Sequence, residues 1–417
     1  SSHLARRLEF RLVGISYIAM YSLILYGATG FTGQLATEYV ARQYAGAPWK
    51  WAIAGRSRDK LEQLRDRIGA DCGLLVADSQ DETAVTEMVK QTKAVVSFAG
   101  PFHIYGSKLV AACAATGTDY CDITGEIGWV RDMIALHHDK ARETGSRIVH
   151  LCGHDSVPWD LMTMKLANKL KEMGASELES VDMWDDIRGS ISGGTIETAM
   201  TVLFGKAPPK LPAVEQLGYD PLLKPRQGSE KVPYGLRAKN VNALDFQGRP
   251  RTFFFMAGVN ANTVKRSNAL CGYGKRVSYR EGWESQTAIA AIAKFTCMAL
   301  FGLTLAIPPL RALMRRFVLP APGQGPTEEE MAKGYLIVTG VGKSTDGKVA
   351  KAKMGFPVDP GYKDTARMAV ESGLALALDA NKLANAEGGV LTPASCQGDV
   401  LLQRLVSTGS TFEFLDP

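Results

Sequence analysis

The sequence predicts an α/β fold, with a doubly wound parallel sheet in its N-terminal part and a second α+β domain with a mixed sheet behind it. Residues 21–150 alternate between short apolar runs and polar amphipathic stretches, as βαβ units do. After Pro158 this alternation stops, and two strand-like runs around a hairpin turn at 345–348 indicate antiparallel pairing. The predicted domains are therefore 20–157 and 158–385.

Two further segments flank these domains. Residues 1–19 are expected to be an N-terminal extension or an expression remnant, because Met20 would be a sensible natural start. Residues 386–417 contain a helical pattern at 393–406, and this segment is expected to return to the first domain. The fold prediction thus includes a C-terminal helix that packs back on the first domain.

The individual elements follow from the spacing of the apolar residues. In the first domain, strands are predicted at 22–26, 50–54, 73–76, 94–98 and 147–151, and helices at 33–44, 58–68, 82–91, 108–116 and 129–144. In the second, helices are predicted at 159–172, 196–204 and 363–378, strands at 181–187, 252–259, 335–341 and 349–356, and a long ordered loop at 205–250.

The first strand runs into a glycine-rich loop, Tyr26-Gly-Ala-Thr-Gly-Phe-Thr-Gly33, which opens the first helix. Glycines at this spacing let the backbone approach a pyrophosphate, and the helix N-terminus supplies free N–H groups and a favourable dipole. We therefore expect a dinucleotide-binding domain of the Rossmann type. The residues expected to hold the dinucleotide are Gly27, Ala28, Thr29, Gly30, Phe31, Thr32 and Gly33.

The segment after the second strand predicts which dinucleotide is bound. Sites that prefer NAD usually place a carboxylate there to bind the ribose 2′-hydroxyl, whereas this chain has Arg56, Ser57 and Lys60. An arginine with a neighbouring hydroxyl suits a 2′-phosphate, so the expected cofactor is NADPH/NADP+.

Residues after the third and fourth strands complete the predicted cofactor site. Asp78 either accepts a hydrogen bond from the adenine amino group or caps the next helix, with equal support for the two roles. Ala99, Gly100 and Pro101 follow the fourth strand, at the edge where open α/β sheets bind their ligands. They are therefore expected to contact the nicotinamide half.

Five residues just past strand ends are candidates for a catalytic proton donor: Tyr105, Asp122, Glu126, His154 and Asp155. Each carboxylate has an alternative role as a helix cap or turn residue. The chain has no Tyr-x-x-x-Lys pair where a short-chain dehydrogenase would need it, and no nucleophile elbow of the hydrolase type.

Composition excludes several classes of protein. The seven cysteines are widely spaced and form no C-x-x-C pair, which is typical of reduced thiols in an intracellular protein. His150 and His154 flank the end of a strand-like run rather than sharing a helix face, so no metal site is expected. The net charge of +5 is spread along the chain, which argues against nucleic acid as a partner.

An apolar segment at 287–319 stands apart from the rest of the second domain. Residues 295–310 are sixteen uncharged, mostly apolar residues broken by Pro308-Pro309, and Arg311, Arg315 and Arg316 follow. Sixteen residues are few for a membrane span, but an apolar helix with a basic flank suits an interfacial anchor. A buried helix or an oligomer interface, for instance in a homodimer, is the alternative.

Taken together, these segments resemble the saccharopine dehydrogenase-like oxidoreductases, which include the trans-acting enoyl reductases of mycobacterial lipid synthesis. The matching stretches are Leu25–Gly33, Ala54-Gly-Arg-Ser57, Gly100-Pro-Phe102, Tyr120-Cys-Asp122, Asp155-Ser-Val-Pro158, Ser192-Gly-Gly-Thr195, 320–326 and 388–394. The resemblance implies an NADP-type Rossmann domain and a second α+β domain. It also implies a hydrophobic segment, which in animal relatives accompanies lipid-droplet or membrane association.

The leading hypothesis is an NADPH-dependent reductase that transfers a hydride to a C=C or C=N bond of a hydrophobic, lipid- or polyketide-type substrate, free or carrier-bound. Such a protein would be cytoplasmic, with contact to a membrane or lipid droplet through 287–319. Two alternatives remain open: an imine reductase of amino-acid metabolism similar to saccharopine reductase, and a non-catalytic lipid-surface protein that keeps a nucleotide-binding fold.

Overall fold

The computed structural model describes residues 20–154, 156–189, 211–228, 230–240, 243–246, 248–319, 325–384 and 387–416. The predicted extension 1–19, the predicted helix 196–204, the motif 192–195 and Asp155 lie outside the described residues. The described chain is organised around two seven-stranded sheets.

The first part of the chain alternates strands and helices as the sequence predicts. Its elements are β1 (Tyr21–Tyr26), α1 (Phe31–Gln43), β2 (Trp51–Gly55), α2 (Arg58–Ile68), β3 (Gly73–Val76), α3 (Glu82–Val89), β4 (Thr92–Ser97), α4 (Phe102–Tyr105), α5 (Ser107–Thr116), β5 (Asp119–Asp122), α6 (Ile127–Thr144) and β6 (Arg147–Val149). The sequence missed β5, because a four-residue strand with an aspartate at each end shows neither an apolar run nor alternation.

The remaining elements form the second part of the chain. They are α7 (Val157–Glu172), β7 (Leu178–Arg188), α8 (Pro212–Leu217), β8 (Gly235–Ala238), β9 (Arg251–Thr252), α9 (Ala257–Cys271), β10 (Arg276–Glu284), α10 (Ala288–Ala306), α11 (Pro308–Phe317), α12 (Glu328–Ala332), β11 (Tyr335–Ser344), β12 (Val349–Phe356), α13 (Thr365–Leu378), β13 (Gly389–Leu391), α14 (Gly398–Ser407) and β14 (Thr411–Leu415). Single turns of π-helix precede α13 (Pro360–Asp364) and α14 (Pro393–Gln397).

The first sheet confirms the predicted doubly wound fold. Its order is β13-β6-β5-β4-β1-β2-β3, and all its strand pairs are parallel. The six strands from β6 to β3 have the order of a dinucleotide-binding fold. In such a fold the first strands are added on one side of β1 and the later ones on the other, so the order of addition switches between β1 and β4. Helices α1, α2 and α13 cover one face and α3, α5 and α6 cover the other, so β1 is apolar and buried on both faces.

The second sheet is mixed, as predicted. Its order is β14-β12-β11-β7-β10-β8, with β10 parallel to β7 and β8 and antiparallel pairs from β7 to β14. The seventh strand, β9, pairs antiparallel with β10. The predicted strand 252–259 is wrong beyond Thr252, because strand β9 ends there, α9 begins at Ala257, and the turn between them buries Phe254 in the core while Phe255 stays exposed. The predicted loop 205–250 contains α8 and β8 within its described part.

The C-terminal part of the chain ties the two sheets together. Helix α13, which the sequence assigned to the second domain, instead packs on the first sheet, where a Cβ at Gly373 would lie 2.3 Å from a methyl carbon of Val96. The helix is buried from Thr365 to Ala377, including its charged residues Arg367 and Glu371. Strand β13 extends the first sheet, α14 packs on α13 and α7, and β14 extends the second sheet.

Candidate cofactor and active site

The glycine loop between β1 and α1 leaves no room for a side chain at Gly27 or Gly33. Gly27 has a φ of +77°, and a Cβ there would lie 2.8 Å from the backbone nitrogen of Ala99. A Cβ at Gly33 would lie 2.4 Å from the carbonyl oxygen of Gly27. Gly30 is the N-cap of α1 and carries no side chain that could cap the first backbone N–H groups of the helix. The loop therefore offers a bare helix N-terminus at the reversal of strand order.

Other loop residues hold this conformation. Ala28 is fully buried, and the carbonyl oxygen of Thr29 accepts a hydrogen bond from the Gln34 side chain at 3.0 Å. The ring of Phe31 packs edge-on against Tyr362, at 5.4 Å between centroids, so the second part of the chain braces the loop. Because the loop is tight and uncapped, its residues fit the pyrophosphate of a dinucleotide.

The residues expected to bind the 2′-phosphate lie at the start of α2, beside the glycine loop. Arg56 and Lys60 are exposed, and Ser57 is the N-cap of α2, although its hydroxyl makes no capping hydrogen bond. Asp78 is exposed and accepts from the backbone N–H of Gln80 at 2.9 Å. Since Asp81 caps α3, the cap role weighed for Asp78 belongs to another residue.

The corner formed by Ala99, Gly100 and Pro101 follows β4 and touches the glycine loop through Ala99. Short helix α4 begins directly after it, and the Glu126 carboxylate accepts from the backbone N–H groups of Phe102 and His103 at 2.7 and 3.0 Å. Glu126 also lies 2.5 Å from Nδ1 of His103. This carboxylate therefore holds the corner in place.

Asp122, at the end of β5, is fully buried and saturated with hydrogen bonds. One oxygen accepts from the hydroxyl of Tyr120 at 2.9 Å and lies 2.7 Å from Nδ1 of His150. The other accepts from the backbone N–H groups of Thr124 and Leu151 at 3.2 and 3.3 Å. These contacts join the ends of β5 and β6, which is a positioning role, and they leave no free oxygen to approach a substrate.

His154 lies in the loop after β6, packed between aromatic rings. Its centroid is 5.1 Å from that of Trp159 and 6.3 Å from that of Phe254. The side chain is buried, its Nδ1 has no hydrogen-bond partner among the described residues, and burial lowers the pKa of the imidazole to about 3. His154 is therefore neutral at physiological pH and cannot act as a cationic proton donor.

Of the remaining candidates, Tyr105 is half-buried at the end of α4. This helix follows the Gly100–Pro101 corner, which is expected to contact the nicotinamide half of the cofactor. Asp155 lies outside the described residues. The ends of β4 and β6 are two strand spacings apart, which is about 10 Å, so the corner and the loop after β6 lie at the same edge of the first sheet, where open α/β folds bind ligands in a crevice.

The structure adds residues that the sequence analysis did not single out. Ser156 is fully buried with a φ of +142°, and its hydroxyl donates to Asn260 on α9 at 2.8 Å. Asn260 in turn donates to Glu281 on β10 at 2.8 Å. Ser156 belongs to a motif noted in the sequence, but α9 and β10 carry no local signal that would have linked them to it.

Three comparisons place this chain among known proteins. Residues 23–149 match the family described as the saccharopine dehydrogenase NADP binding domain. Trans-acting enoyl reductases of Mycobacterium bovis and Mycobacterium ulcerans are each 35% identical to the chain, with 93% of this chain and 96% of theirs covered. A Mycobacterium tuberculosis protein described as a putative trans-acting enoyl reductase is 38% identical, with 94% of this chain and 97% of that protein covered.

Among solved structures, the saccharopine dehydrogenase (L-Glu forming) of Saccharomyces cerevisiae aligns with a TM-score of 0.56. The alignment covers 94% of this chain and 99% of the yeast chain at 11% sequence identity. At that identity the likeness supports the two-domain fold and says nothing about the substrate.

Proposed function

Since this chain belongs to the saccharopine dehydrogenase-like family of NADP-dependent oxidoreductases that includes the trans-acting enoyl reductases, we propose that it reduces an electron-poor C=C bond in a hydrophobic substrate of the lipid or polyketide type. The observation that carries the proposal is the match to enoyl reductases over nearly the whole chain at 35% identity. A C=N bond is the alternative acceptor, as the resemblance of the sequence to saccharopine reductases implies.

Bound NADPH supplies a hydride, and the protein supplies binding, orientation and a proton. The glycine loop and the N-terminus of α1 would hold the pyrophosphate, and Arg56 with Ser57 would hold the 2′-phosphate. Glu126 fixes the Gly100–Pro101 corner through the two N–H groups at the start of α4. These residues therefore fix the cofactor before the substrate binds.

Tyr105 is the proton donor we favour among the described candidates. Asp122 and Glu126 are occupied by hydrogen bonds within the fold, and His154 is neutral and buried. The half-buried phenol of Tyr105 has an Oη that can give a proton to the substrate carbon and regain one from water. One hydride and one proton then saturate the double bond.

The surroundings of the crevice support an apolar substrate. The described side chains packed around the loop after β6 include Trp159 and Phe254, and Phe255 beside them is 52% exposed. The imidazole among them carries no charge. Of these side chains only that of Phe255 is open to solvent, and an exposed aromatic ring beside the loop favours an acyl chain over an amino-acid imine with several carboxylates.

Cofactor selectivity is tested by titrating the full chain with NADPH and NADH while following the fluorescence of the bound nicotinamide. Arg56→Ala should weaken NADPH binding by about 10- to 100-fold, because a charge-assisted bond to the phosphate is lost, and should change NADH binding little. Arg58→Ala is the matched control, since Arg58 lies on the same helix start but is paired with Glu62 at 2.9 Å. Equal losses for both cofactors would overturn the phosphate assignment.

Substrate class is tested by following NADPH oxidation with long-chain enoyl thioesters and, separately, with a semialdehyde–glutamate mixture that forms an imine. Enoyl turnover supports the proposal, and imine turnover alone would replace it with the amino-acid alternative. Tyr105→Phe should lower kcat about 100-fold with little change in the KM for NADPH. NADPH binding without turnover of either substrate would favour a non-catalytic protein.

A membrane surface is the partner we propose, through helices α10 and α11, together called the apolar hairpin. Helix α10 is the one described helix long and apolar enough to cross a membrane, and only 11% of its most apolar 18-residue window is buried. Ten of the twenty large hydrophobic side chains that are strongly exposed in the described chain lie at 289–318, with Ile289 at 80% and Phe317 at 70%. This exposure favours a surface role for the segment over a buried core helix.

The charges of the apolar hairpin favour an anionic lipid surface. Residues 285–327 contain no aspartate or glutamate, whereas Lys294, Arg311, Arg315 and Arg316 are cationic. Helix α10 has 19 residues, includes Lys294 and is followed by Pro308 and Pro309, a combination that suits a helix lying in the interface. Such a position would place the enzyme beside lipid-type substrates.

Flotation of the full chain with vesicles containing anionic lipid tests this partner. A variant with serine at Ile289, Leu303 and Phe317 should lose flotation, whereas serine at the exposed Leu136 and Val406, which lie elsewhere, should not. If wild type does not float but forms a dimer that the same substitutions dissociate, the surface is an interface between two copies and the membrane proposal fails.

A further inference from the structure

A buried chain of polar side chains connects the loop after β6 with the core of the second domain. The Ser156 hydroxyl donates to Asn260 at 2.8 Å and accepts from Thr263 at 3.0 Å. The Asn260 side chain donates to Glu281 at 2.8 Å, and the Tyr279 hydroxyl donates to the other Glu281 oxygen at 2.5 Å. All five side chains are at most 1% exposed, so water does not compete for these bonds.

The backbone at Ser156 needs such support. A φ of +142° is sparsely populated for any residue with a Cβ, and it persists only where the surroundings hold it. The Ser156 N–H donates to the carbonyl oxygen of His154 at 2.9 Å, and the Val157 N–H donates to that of Gly153 at 3.2 Å. The conformation of Ser156 therefore sets the path of the chain at His154.

A second clamp acts on the other side of the same loop. The His154 N–H donates to the Thr365 hydroxyl at 2.9 Å, and Thr365 is the first residue of α13, which packs on the first sheet. A Cβ at Gly153 would lie 2.8 Å from a methyl carbon of Thr365. The loop is thus held from α13 on one side and from α9 on the other.

We infer that Asn260, supported by Glu281, is a positioning residue for the reaction: it holds Ser156 in its strained conformation and so fixes the loop that borders the crevice opposite the Gly100–Pro101 corner. This inference rests on the proposed reductase function. Burial raises the pKa of Glu281 to about 7 and raises the pKa of Asp185, its diagonal neighbour on β7, well above its usual range. Burying two ionisable groups is unfavourable, and apolar side chains would fill the same space without that cost in free energy.

Amide hydrogen exchange in the full chain without added cofactor tests the positioning directly. Asn260→Leu keeps a branched side chain but removes both bonds, and it should speed exchange at His154, Ser156 and Val157 by about tenfold or more. Ser267→Ala is the matched control, because Ser267 lies on the same helix, is equally buried and bonds to Asp160 instead. If exchange in the loop changes equally in both variants, Asn260 serves only general stability and the inference fails.

Two substitutions of Ser156 separate the strain from the hydroxyl group. Glycine accepts a φ of +142° without a side-chain anchor, whereas alanine keeps the strain and loses the anchor. Ser156→Gly should therefore keep loop exchange closer to wild type than Ser156→Ala. Equal exchange in the two variants would mean that the anchor does not hold the strained conformation, which overturns the inference.

Steady-state kinetics test whether this positioning matters for the reaction. With an enoyl substrate, Asn260→Leu should lower kcat at least tenfold while the KM for NADPH stays within about twofold, because the cofactor loop is untouched. A rise in that KM without a fall in kcat would contradict a positioning role. If wild type reduces no substrate, the proposed function fails, and the exchange measurements still decide whether Asn260 holds the loop.

Discussion

Replacing Asp160 by asparagine should change how the stability of the protein depends on pH. Asp160 lies on α7 and is fully buried. Its carboxylate accepts from the hydroxyl of Ser267 on α9 and from the backbone N–H of Ala394 at 2.8 Å. Burial raises the pKa of this carboxyl from 3.8 to about 7, because the surroundings disfavour the charged form.

The sign of the effect follows from proton binding. In the unfolded chain the carboxyl of Asp160 loses its proton near pH 3.8, whereas in the folded protein it keeps the proton up to about pH 7. The stability contributed by the neutral carboxyl is therefore fully present below pH 3.8 and is lost as the pH rises through about 7. Over the whole interval this corresponds to roughly 4 kcal/mol. Asparagine cannot ionise: its amide oxygen can accept from the Ala394 N–H, and its NH2 group can donate to the Ser267 hydroxyl, which also contacts Thr392.

Urea unfolding of wild type and Asp160→Asn at about pH 5 and about pH 8 measures this effect. The difference in the free energy of unfolding should shift by about 3 kcal/mol in favour of the variant between the two pH values. Other titrating groups, including His154 and Glu281, are present in both proteins and cancel in the difference. A difference that does not depend on pH would refute the assignment of a neutral, buried Asp160.

Two further substitutions test the cofactor loop and the contact of α13 with α1 and α14. Gly33→Ala should weaken NADPH binding at least tenfold in a fluorescence titration, with the melting temperature little changed. The reason is that the new Cβ would lie 2.4 Å from the Gly27 oxygen and displace the glycine loop. Unchanged binding would contradict a role of this loop in holding the pyrophosphate. Glu371→Gln should lower the free energy of unfolding by about 2–4 kcal/mol in urea, because the buried Glu371 carboxylate accepts from Tyr39, Tyr44 and Arg404 at 2.7, 2.6 and 2.9 Å; a loss below 1 kcal/mol, as for one surface ion pair, would contradict this.

The sequence alone determined five of the seven strands of the first sheet and the cofactor loop, because these depend on local patterns. Buried parallel strands are short apolar runs, and a tight turn against Ala99 accepts only glycine at Gly27, so each leaves a signal within a few residues. From the sequence, exposure of the apolar hairpin on the surface was one of two open interpretations, the other being a buried helix or an oligomer interface. Its sequence is equally compatible with a core helix, and only its surroundings distinguish the two.

Tertiary structure decided everything that depends on residues far apart in the chain. Helix α13 belongs to the second domain by its position in the sequence, yet it packs on the first sheet because Gly373 permits close approach to Val96. Asp122 reads as a proton donor, yet His150 and Leu151, which are 28 and 29 residues away, contact its two oxygens in addition to two local hydrogen-bond donors. The bond from Ser156 to Asn260 spans 104 residues. No local pattern encodes such partners, because burial and hydrogen bonding are set by what the fold brings into contact.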